Sequence, residues 1–142
     1  MRLRQVIVAG SAVALSTLFL AIVPASPASA APQCTKRGET IAGDNAGGML
    51  WAPVAANGST TCQMGQGALS SAVGALQHSL KYCYGKSIAE DNEFGPATKS
   101  ALQSVQRQIG ADDDGVYGPE TRGLMTFSAV GTSRKTACYE LP

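Results

Sequence analysis

The sequence is poor in the side chains that carry most enzyme chemistry. Its 142 residues include one histidine, His78, and one tryptophan, Trp51, and charged residues make up only 15%. We expect His78 on the exposed face of a helix, opposite Leu76 and Leu80, where a surface role is commoner than general-base catalysis. A zinc site needs closely spaced ligand pairs, and a calcium loop needs alternating acids that residues 112–114 lack. The sequence therefore predicts a non-catalytic protein with no metal and no cofactor.

The first 30 residues have the pattern of a secretory signal peptide. A start containing Arg2 and Arg4 precedes an apolar run over residues 6–23, and small residues end at Ala30. This pattern predicts cleavage after Ala30, whereas the prolines that follow the apolar run argue against a membrane anchor. We therefore expect a secreted protein, extracellular or associated with the cell wall, with no stable membrane association after cleavage.

No strong charge of one sign is present either. The chain has eleven Lys and Arg against ten Asp and Glu. Loss of Arg2 and Arg4 with the signal peptide leaves nine against ten, or a net charge of −1. No basic run stands out, so nucleic acid is not a predicted partner. The remaining chain suits one domain with a modest core, and we expect a monomer.

The chain has four cysteines, Cys34, Cys62, Cys83 and Cys138. In an exported protein an even number of cysteines predicts disulfides, and four allow three pairings. We favour Cys34–Cys62 with Cys83–Cys138, because the first bridge closes the N-terminal segment on itself. Cys34–Cys83 with Cys62–Cys138 is nearly as plausible, since the bridge between Cys62 and Cys138 would flank the helical region.

Residues 31–64 form a glycine-rich segment whose composition differs from that of the rest of the chain. Short strand-like pieces lie near residues 39–42 and 49–54, with a turn at residues 44–48 between them. We interpret the segment as a small hairpin-like strap. Trp51 would be either its anchor or a lid, and we favour the anchor.

From residue 65 the apolar spacing becomes helical. The first helix should begin near Ser70 or Ser71 and stop at Gly85, and the second should run from Pro96 to Gly110. Their inner faces share apolar residues at helical spacing, namely Val73, Leu76, Leu80 and Cys83 in the first helix and Ala101, Leu102, Val105 and Ile109 in the second.

A third helix should begin at Pro119 and end at Gly131, with Leu124, Phe127 and Val130 facing inward. Residues 131–142 would then be a polar tail, held back by its cysteine. The predicted fold is mainly α, a compact three-helix bundle over residues 65–130 with two disulfides.

A nine-residue phrase occurs twice in the helical region. Residues 91–99 read DNEFGPATK and residues 114–122 read DGVYGPETR, an offset of 23 residues. Asp, Gly, Pro and Thr recur, and the aromatic and basic positions match by type. Such recurrence predicts two copies of one turn–helix unit. Gly95 and Gly118 would be the N-caps, with proline at the first helical position.

An ordered series of motifs carries a family resemblance. Val73, Leu76, Gln77 and Leu80 fit Val-x-x-Leu-Gln-x-x-Leu; residues 91–98 fit Asp-Gly-x-Phe-Gly-x-x-Thr; residues 110–121 fit Gly-x-x-x-Asp-Gly-x-x-Gly-x-x-Thr. The region of roughly residues 65–130 resembles the three-helix bacterial peptidoglycan-binding domain found fused to cell-wall hydrolases. Asn92 departs from the glycine of this pattern but tolerates the left-handed conformation. Arg122 stands where the family often has tryptophan.

The resemblance implies a shallow ligand groove near the end of the first helix and the repeated turns. Candidate ligand-binding residues are Tyr84, Asp114, Tyr117, Arg122 and Gln106, because aromatic faces stack on sugars while amides and charges meet hydroxyls and stem peptides. The plainer alternatives are core packing for the aromatics and turn capping for Gln77 and Gln106. The implied function is a secreted, non-catalytic module that binds cell-wall peptidoglycan, glycan or stem peptide. The alternative is a small secreted, disulfide-stapled inhibitor or protein-interaction module.

Overall fold

The computed structural model describes residues 30–41, 48–130 and 137–141. The predicted signal peptide lies almost wholly outside the described residues. Within them the elements follow in the order β1 (Cys34–Ile41), β2 (Met49–Ala55), α1 (Ser71–Tyr82), α2 (Pro96–Ile109), α3 (Pro119–Leu124), β3 (Thr126–Val130) and β4 (Cys138–Glu140).

The strands form one antiparallel sheet in the order β1-β2-β3-β4. The predicted hairpin strands are confirmed, and both are longer than expected: Glu39 pairs with Trp51, and Ile41 with Met49. Most of the turn predicted between them lies outside the described residues. The hairpin pairs with the rest of the sheet through β2, where Met49 pairs with Val130 and Leu50 with Ala129 of β3.

The prediction of a mainly α three-helix bundle is wrong. Helix α3 ends at Leu124, and Met125 is already extended, with φ −87° and ψ 150°. Phe127 and Val130, which were expected on a helix face, lie in β3 instead. Their spacing suits a helix, but the composition of β3 favours a strand, and pairing with both β2 and β4 decides the outcome. The supposed polar tail contributes β4.

The first two helices match their predicted positions. Ser70 is the N-cap of α1, and the helix ends at Tyr82, slightly before the stop expected at Gly85. Helix α2 begins at Pro96 and is closed by Gly110, which has φ 77° as a left-handed C-cap requires.

Both disulfides have the favoured pairing. Cys34 is bonded to Cys62 and Cys83 to Cys138, with S–S lengths of 2.06 and 2.03 Å. The first bridge ties the start of β1 to the segment after the hairpin. The second ties the C-terminal end of α1 to β4, so β4 is covalently held beside β3.

A single core joins the hairpin to the helices. Helix α1 contacts β1, β2 and β3. The buried cluster takes side chains from nearly every element, including Leu50, Leu76, Leu102, Tyr117 and Phe127. The hairpin is therefore part of the same folded unit as the repeated turns, which fixes the position of those turns relative to the sheet.

Candidate functional site

The two repeated turns have similar backbones. Gly95 and Gly118 are both extended N-caps, with φ −82° and −144° and ψ −176° and −174°, and each is followed by proline at the first turn of its helix. Three residues earlier, Asn92 and Gly115 share the left-handed conformation, with φ 64° and 72°. The predicted repeat is therefore confirmed as a structural repeat, and Asn92 does replace glycine at a positive φ.

Gln77 of α1 fixes the first turn. Its Nε2 lies within hydrogen-bonding distance of Asp91 Oδ1 at 2.7 Å, the Glu93 carbonyl at 3.0 Å and Thr98 Oγ1 at 3.1 Å. Its Oε1 accepts a hydrogen bond from the Asn92 N–H at 3.0 Å. One buried amide thus holds both sides of the turn and the first turn of α2.

Gln106 of α2 repeats this arrangement at the second turn. Its Nε2 meets Asp114 Oδ1 at 3.0 Å, the Val116 carbonyl at 2.9 Å and Thr121 Oγ1 at 3.1 Å. Its Oε1 accepts from the Gly115 N–H at 2.9 Å. The turn-capping alternative for both glutamines is therefore confirmed. Gln106 has no exposed surface, so its amide bonds to the turn from the protein interior and not from the solvent side.

The aspartates of the two units, Asp91 and Asp114, are exposed, and one carboxylate oxygen of each accepts hydrogen bonds within its own turn. Hydrogen bonds from Gln77 and from the Glu93 N–H hold the pKa of the Asp91 carboxyl below its usual value. Asp114 Oδ1 accepts from the Val116 N–H at 2.7 Å as well as from Gln106. Each unit therefore presents a carboxylate whose position is set by the hydrogen bonds of its own turn.

The predicted ligand residues are brought together only in part. Asp114, Gln106, Tyr117 and Arg122 all belong to the second unit or to the helix that caps it. Tyr117, however, has no exposed surface, and its burial raises the pKa of its hydroxyl well above the usual value, against an opposing effect of the positive Arg122. Tyr84 contacts a different part of the protein. Its hydroxyl accepts a hydrogen bond from the Thr126 N–H of β3 at 2.8 Å.

The aromatic residues of the two repeated turns, Phe94 and Tyr117, are core residues, which is the core-packing alternative given above. Phe94 and Tyr117 are both fully buried, and the Tyr117 ring meets the Phe127 ring edge-on at 6.5 Å between centroids. Among the described residues, the Tyr117 hydroxyl has no hydrogen-bond partner. Neither ring is therefore available at the surface of this structure.

The expectation of an exposed His78 is wrong. Only 14% of its side chain is exposed, because Trp51 of β2 packs against it with ring centroids 4.8 Å apart. Trp51 thus anchors the hairpin on α1. The helical pattern of α1 alone could not show this contact, since it depends on where the hairpin docks.

Two kinds of feature are absent from the described part of the chain. Residues 30–41, 48–130 and 137–141 contain no group of three or more His, Cys, Asp or Glu placed to hold a metal ion. None of the helices in those ranges has the length and apolarity needed to cross a membrane.

A comparison with known families bears directly on the repeated turns. The sequence model of a family described as a peptidoglycan binding domain matches residues 70–125. No curated protein and no solved structure matches the chain. The matched segment starts at Ser70, the N-cap of α1, and ends at Met125, the C-cap of α3. It therefore contains all three helices and both repeated turns, while the four strands lie outside it.

Proposed function

We propose that the protein is a secreted, non-catalytic module that binds bacterial cell-wall peptidoglycan, because residues 70–125 match the sequence model of a peptidoglycan binding domain. The observation that carries this proposal is the family match across both repeated turns. The family is one of binding domains, and the matched helices and turns are all present in the structure.

The second repeated turn supplies ligand contacts in this proposal. Asp114 is exposed, and its carboxylate would pair with amines of stem peptides. Arg122 is half-buried and already engaged within the protein, and its guanidinium would add a contact with their carboxylates. Gln106 and Tyr117 would act beneath the surface by holding the turn. The ring of Tyr84, whose hydroxyl is engaged by β3, would border the ligand near the end of α1. A shallow site of this kind binds weakly, and the repetitive wall polymer raises the effective affinity.

Secretion is supported by sequence and covalent structure together. The N-terminal pattern of residues 1–30 is typical of a signal peptide, and two disulfides suit an oxidising compartment. After cleavage the protein would be a monomer held at the wall by its ligand.

A sedimentation assay tests the binding and non-catalytic halves separately. The chain from residue 31 onward is mixed with insoluble peptidoglycan and centrifuged. We expect protein in the pellet, unchanged turbidity and no soluble wall fragments. Arg122→Ala should reduce the pelleted fraction without loss of helical circular dichroism. Released fragments would contradict the non-catalytic half, and full binding by Arg122→Ala would contradict the placement of the contact.

A further inference from the structure

Three rings form a continuous row where the hairpin meets α1. Trp51 of β2, His78 and Tyr82 of α1 lie next to one another, with centroids 4.8 and 4.4 Å apart. The guanidinium of Arg37 from β1 lies over the Trp51 ring at 4.0 Å. We call Trp51, His78 and Tyr82 the aromatic row. Trp51 of the row and its neighbour Arg37 precede residue 70, so the family match does not include them.

The row is held in place by an ionic cluster. Glu90 accepts a hydrogen bond from His78 Nδ1 at 2.8 Å and lies 3.1 Å from Lys81 Nζ. Partial burial raises the pKa of the Glu90 carboxyl, but the hydrogen bonds from His78 and Lys81 outweigh it and leave this pKa below the usual value. The carboxylate is therefore charged at neutral pH, and it fixes the orientation of the imidazole between its two neighbours. Such preorganisation lowers the entropy cost of binding.

The Tyr82 end of the row is accessible to a ligand. Tyr82 is 47% exposed and is absent from the buried core. The ammonium of Lys81 lies 5.4 Å from the centre of the Tyr82 ring, and Arg37 is at the opposite end. Aromatic faces bordered by hydrogen-bonding charges suit a ligand with both an apolar face and polar substituents.

We propose that the aromatic row is a glycan-binding surface, a second contact with peptidoglycan that is separate from the repeated turns. The apolar C–H face of an amino-sugar ring stacks on Tyr82, and Lys81 beside it donates a hydrogen bond to the oxygen substituents of that sugar. Arg37, at the opposite end of the row, donates to a neighbouring sugar of the same strand. The identity of the ligand rests on the proposed function. The hairpin then has a binding role besides its structural one, because it supplies Trp51 and Arg37.

The single tryptophan of the chain is a built-in probe of this surface. The chain from residue 31 is titrated with soluble glycan strands freed of stem peptides, and separately with free stem peptides. We expect a saturable change in tryptophan emission with the strands and none with the peptides. Unchanged emission with the strands, or a change with the peptides alone, would overturn the proposal. Because sedimentation with whole peptidoglycan is a separate measurement, its outcome decides the proposed function independently.

Substitutions at Tyr82 test the stacking contact. Tyr82→Ala should raise the Kd for glycan strands about tenfold, the loss expected for one aromatic contact, whereas Tyr82→Phe should bind like the unchanged protein. Leu124→Ala is the matched control, because Leu124 is also 47% exposed but lies at the end of α3. Trp51→Ala would also remove the packing of the hairpin on α1, so it is not used. Equal Kd values for Tyr82→Ala and Leu124→Ala, with both variants folded by circular dichroism, would overturn the proposal.

Discussion

Gln106 is a polar side chain with no exposed surface, and its amide is used entirely by the second repeated turn. Gln106→Leu keeps the approximate volume but leaves the buried backbone N–H of Gly115 without its partner. We expect the free energy of unfolding to fall by about 2 kcal/mol, the range for an unsatisfied buried group. Gln108→Leu is the control, because Gln108 is exposed on the same helix. Equal unfolding midpoints in urea for both variants would contradict the role assigned to Gln106.

Tyr117 carries a buried hydroxyl that lacks a hydrogen-bond partner among the described residues. Phe94 occupies the equivalent position in the first unit without a hydroxyl, so the site tolerates phenylalanine. Tyr117→Phe should therefore leave the free energy of unfolding unchanged or raise it by up to about 1 kcal/mol. Tyr84→Phe should lower it by about 1 kcal/mol, because the Tyr84 hydroxyl bonds to β3. The reverse order of stability in denaturant would show that the Tyr117 hydroxyl is satisfied.

For single residues, the sequence predicted backbone conformation better than the burial of side chains. The turn glycines and the left-handed Asn92 followed from residue type and position. The burial of Gln106 and of the motif aromatics Phe94 and Tyr117 was open, because amides and aromatic rings serve both packing and ligand binding. The partial burial of His78 was missed, since it depends on Trp51, 27 residues earlier in the chain.

In both turn–helix units the turn approaches the preceding helix closely, but the glycine that allows this lies on the helix in one unit and in the turn in the other. In the first unit, a Cβ added at Gly74 of α1 would collide with the side chain of Asn92. In the second, the positions are reversed: Gly115 has no side chain, and a Cβ there would lie 2.7 Å from Lys99 Cγ and 3.0 Å from Gln103 Cγ, both on α2. Each unit thus has one glycine where helix and turn approach each other.

This exchange predicts that Gly74 and Asn92 are energetically coupled. Gly74→Ala should cost about 1–2 kcal/mol, because overpacking exceeds the gain in helix propensity. Asn92→Gly removes the obstructing side chain and suits the positive φ, so adding it to Gly74→Ala should recover most of the loss. A double-mutant cycle by chemical denaturation measures the coupling. Simple addition of the two single effects would contradict it.

At the scale of elements, local signals predicted α1, α2 and the hairpin strands but failed after Leu124. Residues 124, 127 and 130 satisfy a helical spacing, whereas their true state is set by partners far away in sequence. Ala129 pairs with Leu50, and Phe127 pairs with Tyr139. No pattern within residues 119–131 contains that information, so the strand could not be predicted locally.

The whole molecule should fold as one unit. Helix α1 rests on the sheet, and Leu50 and Phe127, both outside residues 70–125, are fully buried. A fragment of residues 70–125 loses these side chains, the sheet and both disulfides, so too little apolar surface remains buried for a chain of that size. We expect the fragment to show weak helicity and no cooperative thermal transition, while residues 31–142 unfold in a single transition. Cooperative unfolding of the fragment would contradict a shared core.

The binding isotherm of residues 31–142 on purified, protein-free peptidoglycan tests the central claim most directly. The pelleted fraction is measured over increasing wall concentration, with heat-denatured protein and an unrelated insoluble polysaccharide as controls. We predict a saturable isotherm with peptidoglycan and retention in the supernatant with the other polysaccharide. Protein that stays in the supernatant at every concentration, with walls of several chemotypes, would contradict peptidoglycan binding.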